Sequence, residues 1–153
     1  MQREVENADA TRALGEALGR TARAGDVLWL HGELGTGKTE MTRGVAAGLA
    51  CREPVSSPSF ALIHEYPGGR LPLFHIDLYR LDASAALDLG LEEYLEDDGL
   101  TVIEWGERLP VRYFPDGLDV ELTYRGTGDA RCITLHARGP AGAQWLERLR
   151  RAD

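Results

Sequence analysis

Gly32-Glu33-Leu34-Gly35-Thr36-Gly37-Lys38-Thr39 fits the pattern G-x-x-x-x-G-K-[ST] at every fixed position. Lys38 is the only lysine of the chain; the other 16 of its 17 basic residues are arginine. A guanidinium is a rigid fork, whereas an ammonium is a compact point charge that fits between phosphate oxygens. One lysine, placed inside this loop, is therefore read as a phosphate contact. Gly32, Gly35 and Gly37 allow left-handed backbone angles that turn successive N–H groups inward, at the positive end of a following helix. Thr39 then places a hydroxyl where a Mg²⁺ ion accompanying a di- or triphosphate is ligated. The flanks agree with this reading. Val27 to Leu30 is a short apolar run opened by Gly25-Asp26, and Met41, Val45, Ala46 and Leu49 recur at helical spacing from Lys38 to Leu49.

The 153 residues suffice for one domain, 1–153, with a real core. No apolar stretch approaches the roughly 18 residues of a membrane span. Met1 to Glu6 lacks the charge and apolar core of a signal peptide, so a cytoplasmic location without membrane attachment is expected. Cys51 and Cys132 stand alone, without C-x-x-C spacing, and no histidine pair has metal-ligand spacing. A net charge of −8 opposes direct binding to a phosphate backbone, so any nucleic-acid role runs through a partner or a local arginine cluster.

Outward from the loop, Asn7 or Asp9 is placed to cap a helix carrying Ala10, Leu14, Ala17, Leu18 and Thr21 to a stop near Gly25. Phe60 to Tyr66 and Leu71 to Ile76 read as strands across the turn Pro67-Gly68-Gly69. Ala83 to Leu89 reads as a short helix and Leu100 to Ile103 as a buried strand. Leu118 to Tyr124 and Arg131 to His136 read as strands joined through Gly126-Thr127-Gly128, before a terminal helix from Ala143 to Arg150. Strands alternating with helices around a phosphate loop predict an α/β fold of the P-loop NTPase type. Its sheet is mainly parallel, flanked by helices, with antiparallel additions, and the nucleotide lies at the strands' carboxyl ends.

Such a site needs an acidic residue at the end of a second buried strand. Leu73 to Asp77 and Leu100 to Glu104 both end in a carboxylate, and pattern alone does not rank them. Arg43, Arg80 and Arg108 are candidates for charge stabilisation, with a surface ion pair favoured for Arg43 and Arg108. A GTP switch would need an N-K-x-D segment, which the single lysine excludes, so adenine or no strong base preference follows. A small-molecule or nucleoside kinase on the same loop is the alternative, although no arginine-rich lid is evident. A scaffold that binds ATP without turning it over would tolerate loss of Asp77 and Glu104, and both are present.

The loop, Ser57-Pro58-Ser59-Phe60, His75-Ile76-Asp77-Leu78-Tyr79-Arg80-Leu81, Leu89-Gly90-Leu91-Glu92-Glu93-Tyr94 and Val102-Ile103-Glu104-Trp105, in that order, resemble the bacterial tRNA threonylcarbamoyladenosine-biosynthesis ATPases, the TsaE (YjeE) family. The likeness covers Thr11 to Trp105, and the part after Pro110 adds little. The resemblance implies a Mg²⁺-dependent ATPase, weak alone and stimulated by partners. It would reset the two-protein complex, of the TsaB and TsaD type, that transfers threonylcarbamoyl to adenosine 37 of tRNAs reading codons that begin with A. Contact with tRNA would be indirect, through that complex. The resemblance assigns Leu34, Gly35, Thr36, Gly37, Lys38, Thr39 and Ser57 to ATP, and Thr39 and Glu104 to Mg²⁺. It places Lys38, Asp77 and Glu104 in catalysis and Ser57 to Phe60 in a first switch, with Asp77 on a mobile segment near the γ-phosphate. One departure is Glu40, where many relatives carry a second threonine after Thr39.

Overall fold

A computed structural model describes residues 1–56, 63–95, 98–106, 109 and 111–152. Seven strands form one sheet in the order β1-β7-β6-β2-β5-β4-β3. They are β1 (Gln2–Val5), β2 (Val27–His31), β3 (Ile63–Tyr66), β4 (Leu73–Asp77), β5 (Leu100–Glu104), β6 (Gly117–Tyr124) and β7 (Arg131–Arg138). β6, β2, β5 and β4 run parallel at the centre; on one edge β7 pairs antiparallel with both β6 and β1, and on the other β3 pairs antiparallel with β4. The helices are α1 (Ala8–Thr21), α2 (Lys38–Gly48), α3 (Ala83–Leu87), α4 (Leu91–Leu95) and α5 (Gly139–Ala152).

β2, β4 and β5 are buried almost throughout because both faces of the sheet are covered there, whereas β6 alternates buried apolar residues with Asp119 and Glu121. Along β2, Leu28 and Leu30 join the core under α1, α2 and α5, whereas Val27 and Trp29 join the one containing Ala86 of α3 and Leu91 of α4. Ile76 and Ile103 enter that second core from β4 and β5. A central strand so enclosed is held rigidly, and the loop leaving its carboxyl end inherits that rigidity.

α1 and α2 pack through glycines at spacing four on each helix. A Cβ on Gly15 would lie 2.3 Å from the Met41 carbonyl oxygen, and one on Gly19 2.2 Å from that of Val45. On the facing helix, a Cβ on Gly44 would lie 2.1 Å from the Arg12 carbonyl oxygen and one on Gly48 2.2 Å from that of Glu16. The contact is main chain against main chain, so no side chain can yield to an added methyl. Gly44→Ala is expected to cost ~2–3 kcal/mol, lowering the melting temperature by about 5–10 °C. Denaturant unfolding measures this, and an unchanged midpoint would refute the close packing. This approach also sets Thr11, at the start of α1, beside Gly37: a Cβ on Gly37 would meet the Thr11 methyl at 3.6 Å.

Three elements differ from the sequence reading: β1, the start of α5, and α4 (Leu91–Leu95), a short helix that follows Gly90 where none was expected. β1 lies in a stretch with no apolar alternation and is an edge strand paired to β7. α5 begins at Gly139, ahead of the expected Ala143, because Asp116 accepts from the amides of Ala141 (3.3 Å) and Gly142 (3.0 Å) and so caps the helix from afar. Asn7, one of the two caps considered for α1, accepts from the Ala10 amide at 2.9 Å.

Candidate functional site

The loop Gly32 to Gly37 leaves β2 between the carboxyl ends of β5 and β6 and enters α2 at Lys38. Gly35 (φ 81°) and Gly37 (φ 109°) are left-handed, which a side chain would strain. Gly37 is the residue preceding α2, so the loop ends on the positive pole of that helix. Lys38 is 6% exposed. Its Nζ donates to the carbonyls of Gly32 (2.5 Å) and Glu33 (3.1 Å) and lies 4.4 Å from the centre of the Trp105 ring. The ammonium is thus held against the loop by carbonyl dipoles and an aromatic face.

Thr36 turns its hydroxyl back to the Glu33 carbonyl (2.8 Å), and Thr42 bonds the Lys38 carbonyl (3.0 Å). Thr39 is half-buried, and its hydroxyl makes no hydrogen bond to a described residue. Glu40 joins the two glycine-packed helices: it accepts from Arg12 of α1 (2.7 Å) and Arg43 of α2 (2.5 Å). The Arg12 hydrogen bond is the main reason its carboxyl lies below the ordinary range.

β4 and β5 are parallel and in register, so Asp77 pairs with Glu104 and both strand-end acids reach the same edge of the site. Glu104 is 4% exposed and hydrogen-bonded to the fully buried His75 Nε2. A carboxylate only accepts, so Nε2 carries the proton; Nδ1 of the same ring has no partner among the described residues. The His75 bond orients Glu104 through one oxygen. The next turn is tied to this edge as well, because Leu78 N donates to the Glu104 carbonyl at 3.1 Å. Trp105 follows in a left-handed conformation (φ 61°), rare for a bulky residue and an indicator of a constrained site. Its ring meets that of Tyr79 at 5.1 Å.

Asp77 has its carboxyl pushed above the ordinary Asp range, chiefly by burial, with the Glu104 charge adding to it and the Tyr79 amide opposing it. The unfolded chain therefore releases this proton at lower pH than the folded one. Between the two values the folded state binds more protons, so stability falls as pH rises through that window and levels off above it. Asp77→Asn keeps an oxygen for the Tyr79 amide and removes the buried charge. Its stability is expected to match wild type at low pH and to exceed it at neutral pH, in thermal melts across pH. A lower stability at neutral pH would contradict this account.

Lys38, Trp105, Glu104 and Asp77 therefore converge beside the loop residues Leu34 to Thr39. Arg43 is tied to Glu40 and to the Val55 carbonyl (3.3 Å), as favoured from sequence. Arg80 is exposed, and no described residue bonds it. Ser57, the rest of the Ser57 to Phe60 segment and Arg108 lie outside the described residues. Among those described, no group of three or more His, Cys, Asp or Glu side chains is arranged to hold a metal, and no helix is long and apolar enough to cross a membrane. The sequence reading missed Tyr124 and Arg131, whose side chains bond the loop from 90 and more residues away. No local motif marks them. Arg131, Asp129, Thr11 and Glu40 also line a cavity of about 160 Å³ beside Gly35 and Gly37.

A phosphate loop running from the central parallel strand into a helix, facing two strand-end carboxylates, defines an α/β protein of the P-loop class. The family model described as "Threonylcarbamoyl adenosine biosynthesis protein TsaE" matches residues 5–133, and the chain belongs to that family. A Nostoc protein named tRNA threonylcarbamoyladenosine biosynthesis protein TsaE is 46% identical over 125 residues, covering 78% of this chain and 76% of its own. The Bacillus subtilis protein of the same name is 38% identical over 147 residues, covering 96% of this chain and 92% of its own. The crystal structure of Bacillus subtilis YdiB superposes with a TM-score of 0.82 at 35% identity, over 100% of this chain and 95% of that one.

Proposed function

We propose that this chain, acting as one domain, binds ATP with Mg²⁺ and hydrolyses it in the service of the tRNA threonylcarbamoyladenosine pathway named for its relatives. The observation that carries the proposal is the register of β4 on β5, which sets Asp77 beside Glu104 at the edge where the only lysine is held. In this reading the loop amides and Lys38 hold the β- and γ-phosphates, Leu34 to Thr39 surround them, and hydrolysis transfers the γ-phosphoryl group to water, giving ADP and phosphate.

Thr39 and Glu104 fit a magnesium site. One offers a hydroxyl not spent on a described residue, and the other a carboxylate already oriented by His75. Two protein oxygens are enough, since this ion keeps waters and takes phosphate oxygens. Held by Thr39 and Glu104, Mg²⁺ would supply positive charge to offset that of the phosphates. Asp77, the last residue of β4, orients the attacking water or senses the γ-phosphate; Ser57 to Phe60 is assigned to the nucleotide by resemblance alone. Trp105 and Tyr79 form the wall against which Lys38 is positioned.

The role is accessory. ATP turnover resets the two-protein transfer complex, of the TsaB and TsaD type, between rounds of modification at adenosine 37. Contact with tRNA runs through that complex, consistent with a chain whose net charge is −8. Phosphate release is expected to be slow for the isolated chain, to rise with the purified partner complex, and to stop when EDTA removes Mg²⁺. Rapid hydrolysis unchanged by the partners, or phosphate passing to a nucleoside as in a kinase, would overturn the reading.

A further inference from the structure

The amides of a phosphate loop point inward only if the carbonyls of the same peptide groups point outward, because a trans peptide sets N–H and C=O on opposite sides. Those outward carbonyls need donors. In this chain the donors come from the hairpin of β6 and β7. Tyr124 Oη donates to the Leu34 carbonyl at 2.6 Å, Arg131 Nη2 to the Gly35 carbonyl at 3.2 Å and Arg131 Nε to the Thr36 carbonyl at 3.0 Å. Arg131 Nη1 closes the hairpin's own turn on Gly128 (2.7 Å) and Ala130 (2.9 Å). The guanidinium also lies 4.6 Å from the centre of the Tyr124 ring.

We infer that Tyr124 and Arg131 are positioning residues that aim the loop's amides at the phosphates from behind. The inference rests on the nucleotide-binding reading above and adds to it a fixed scaffold outside the loop motif. The Leu34 carbonyl shares its peptide group with the Gly35 N–H, and the Thr36 carbonyl with the Gly37 N–H. A donor on each carbonyl holds the plane and polarises the N–H on its far side. The Thr36 N–H is itself turned to the Glu33 carbonyl (3.2 Å), which makes Gly35 and Gly37 the amides this brace serves.

Three features show a built contact. Arg131 is 9% exposed, and its bonds to described residues all go to main-chain carbonyls, so its charge is spent on orienting peptides. The Tyr124 hydroxyl approaches Gly35 closely, since a Cβ there would lie 2.9 Å from it. The main chain of Arg131 is pinned in turn by β1, pairing with Val5, while Arg125 of the same hairpin reaches Glu6 of the N-terminal segment at 2.6 Å.

Tyr124→Phe removes one hydroxyl at a 47% exposed ring and leaves the hairpin intact. Arg131→Lys keeps the charge and loses the fork. The test is calorimetric binding of Mg-ADP at 15 °C, with melting temperatures measured in parallel. Affinity is expected to fall about fivefold in Tyr124→Phe and about tenfold or more in Arg131→Lys, in protein that is fully folded at that temperature. A lowered melting temperature with affinity within twofold of wild type would show a role in hairpin stability only and would overturn the inference. Should Arg131→Lys fail to fold, Tyr124→Phe decides alone: a loss of threefold or more sustains the brace, and a smaller one defeats it. Failure of the wild type to bind Mg-ADP would instead defeat the nucleotide reading, and the brace with it.

Discussion

Lys38→Ala is expected to weaken Mg-ATP binding by about a hundredfold or more while leaving the chain folded. Nζ sits in a slot formed by the Gly32 and Glu33 carbonyls and the Trp105 ring, and at 6% exposure it meets a phosphate largely shielded from solvent. The lost attraction is therefore close to that of a charge-assisted contact in a partly dry site. Lys38→Arg is expected to fail as well, although arginine supplies every other cation of the chain. A planar fork does not fit a slot shaped for a point charge. Calorimetry on the three proteins measures the effect, and equal affinity in wild type and Lys38→Ala would contradict it. The melting temperature of Lys38→Ala should stay within a few degrees of wild type, since about 1 kcal/mol corresponds to ~2–4 °C in a chain of this size.

Substitutions at Glu104 are expected to separate folding from chemistry. Glu104→Ala leaves His75, fully buried, without a described partner on either ring nitrogen, and opens a gap at the end of β5. An unsatisfied buried donor plus a cavity should cost about 3 kcal/mol of stability. Glu104→Gln keeps an oxygen to accept from Nε2, so its stability should approach that of wild type. Its partner-stimulated phosphate release should nevertheless fall about a hundredfold or more, because the negative charge offered to the metal is gone. Denaturant unfolding and steady-state phosphate release give the two quantities. A Gln variant that is as active as wild type would remove Glu104 from the metal site; one as unstable as Glu104→Ala would remove the His75 argument.

The legible parts of the site were those whose chemistry is written in adjacent residues. A phosphate nest needs glycines, a lysine and a hydroxyl in one run, so the loop declared itself. Strand-end acids follow apolar runs, so Asp77 and Glu104 were both visible, but their juxtaposition was not, since it depends on β4 pairing with β5 in parallel register. β2, β4 and β5 were legible for the same reason, being largely apolar runs. Elements made by distant partners were hidden. β1 is polar and exists through its edge pairing with β7, and α5 takes its cap from Asp116. Tyr124 and Arg131 read as ordinary strand ends until the hairpin folds back on the loop. Glu40 read as a departure from a threonine and turns out to link α1 to α2 through two arginines.

The close fit of α1 on α2 bears on function through this same geography. Glycine packing brings the start of α1 against Gly37, so the first turn of α2, carrying Lys38 and Thr39, is clamped between a helix and the sheet. A loop whose amides act as fixed dipoles gains from such support, because dipoles already oriented need no rearrangement when phosphate arrives.

The central claim is that ATP turnover by this chain renews a tRNA-modifying complex. Its most direct measurement is the yield of threonylcarbamoyladenosine per transfer complex, with tRNA in excess and this protein present, absent or carrying Lys38→Ala. The account predicts many modified tRNAs per complex with the wild-type protein, and about one without it or with the variant. Equal multiple-turnover yields in all three reactions would contradict it.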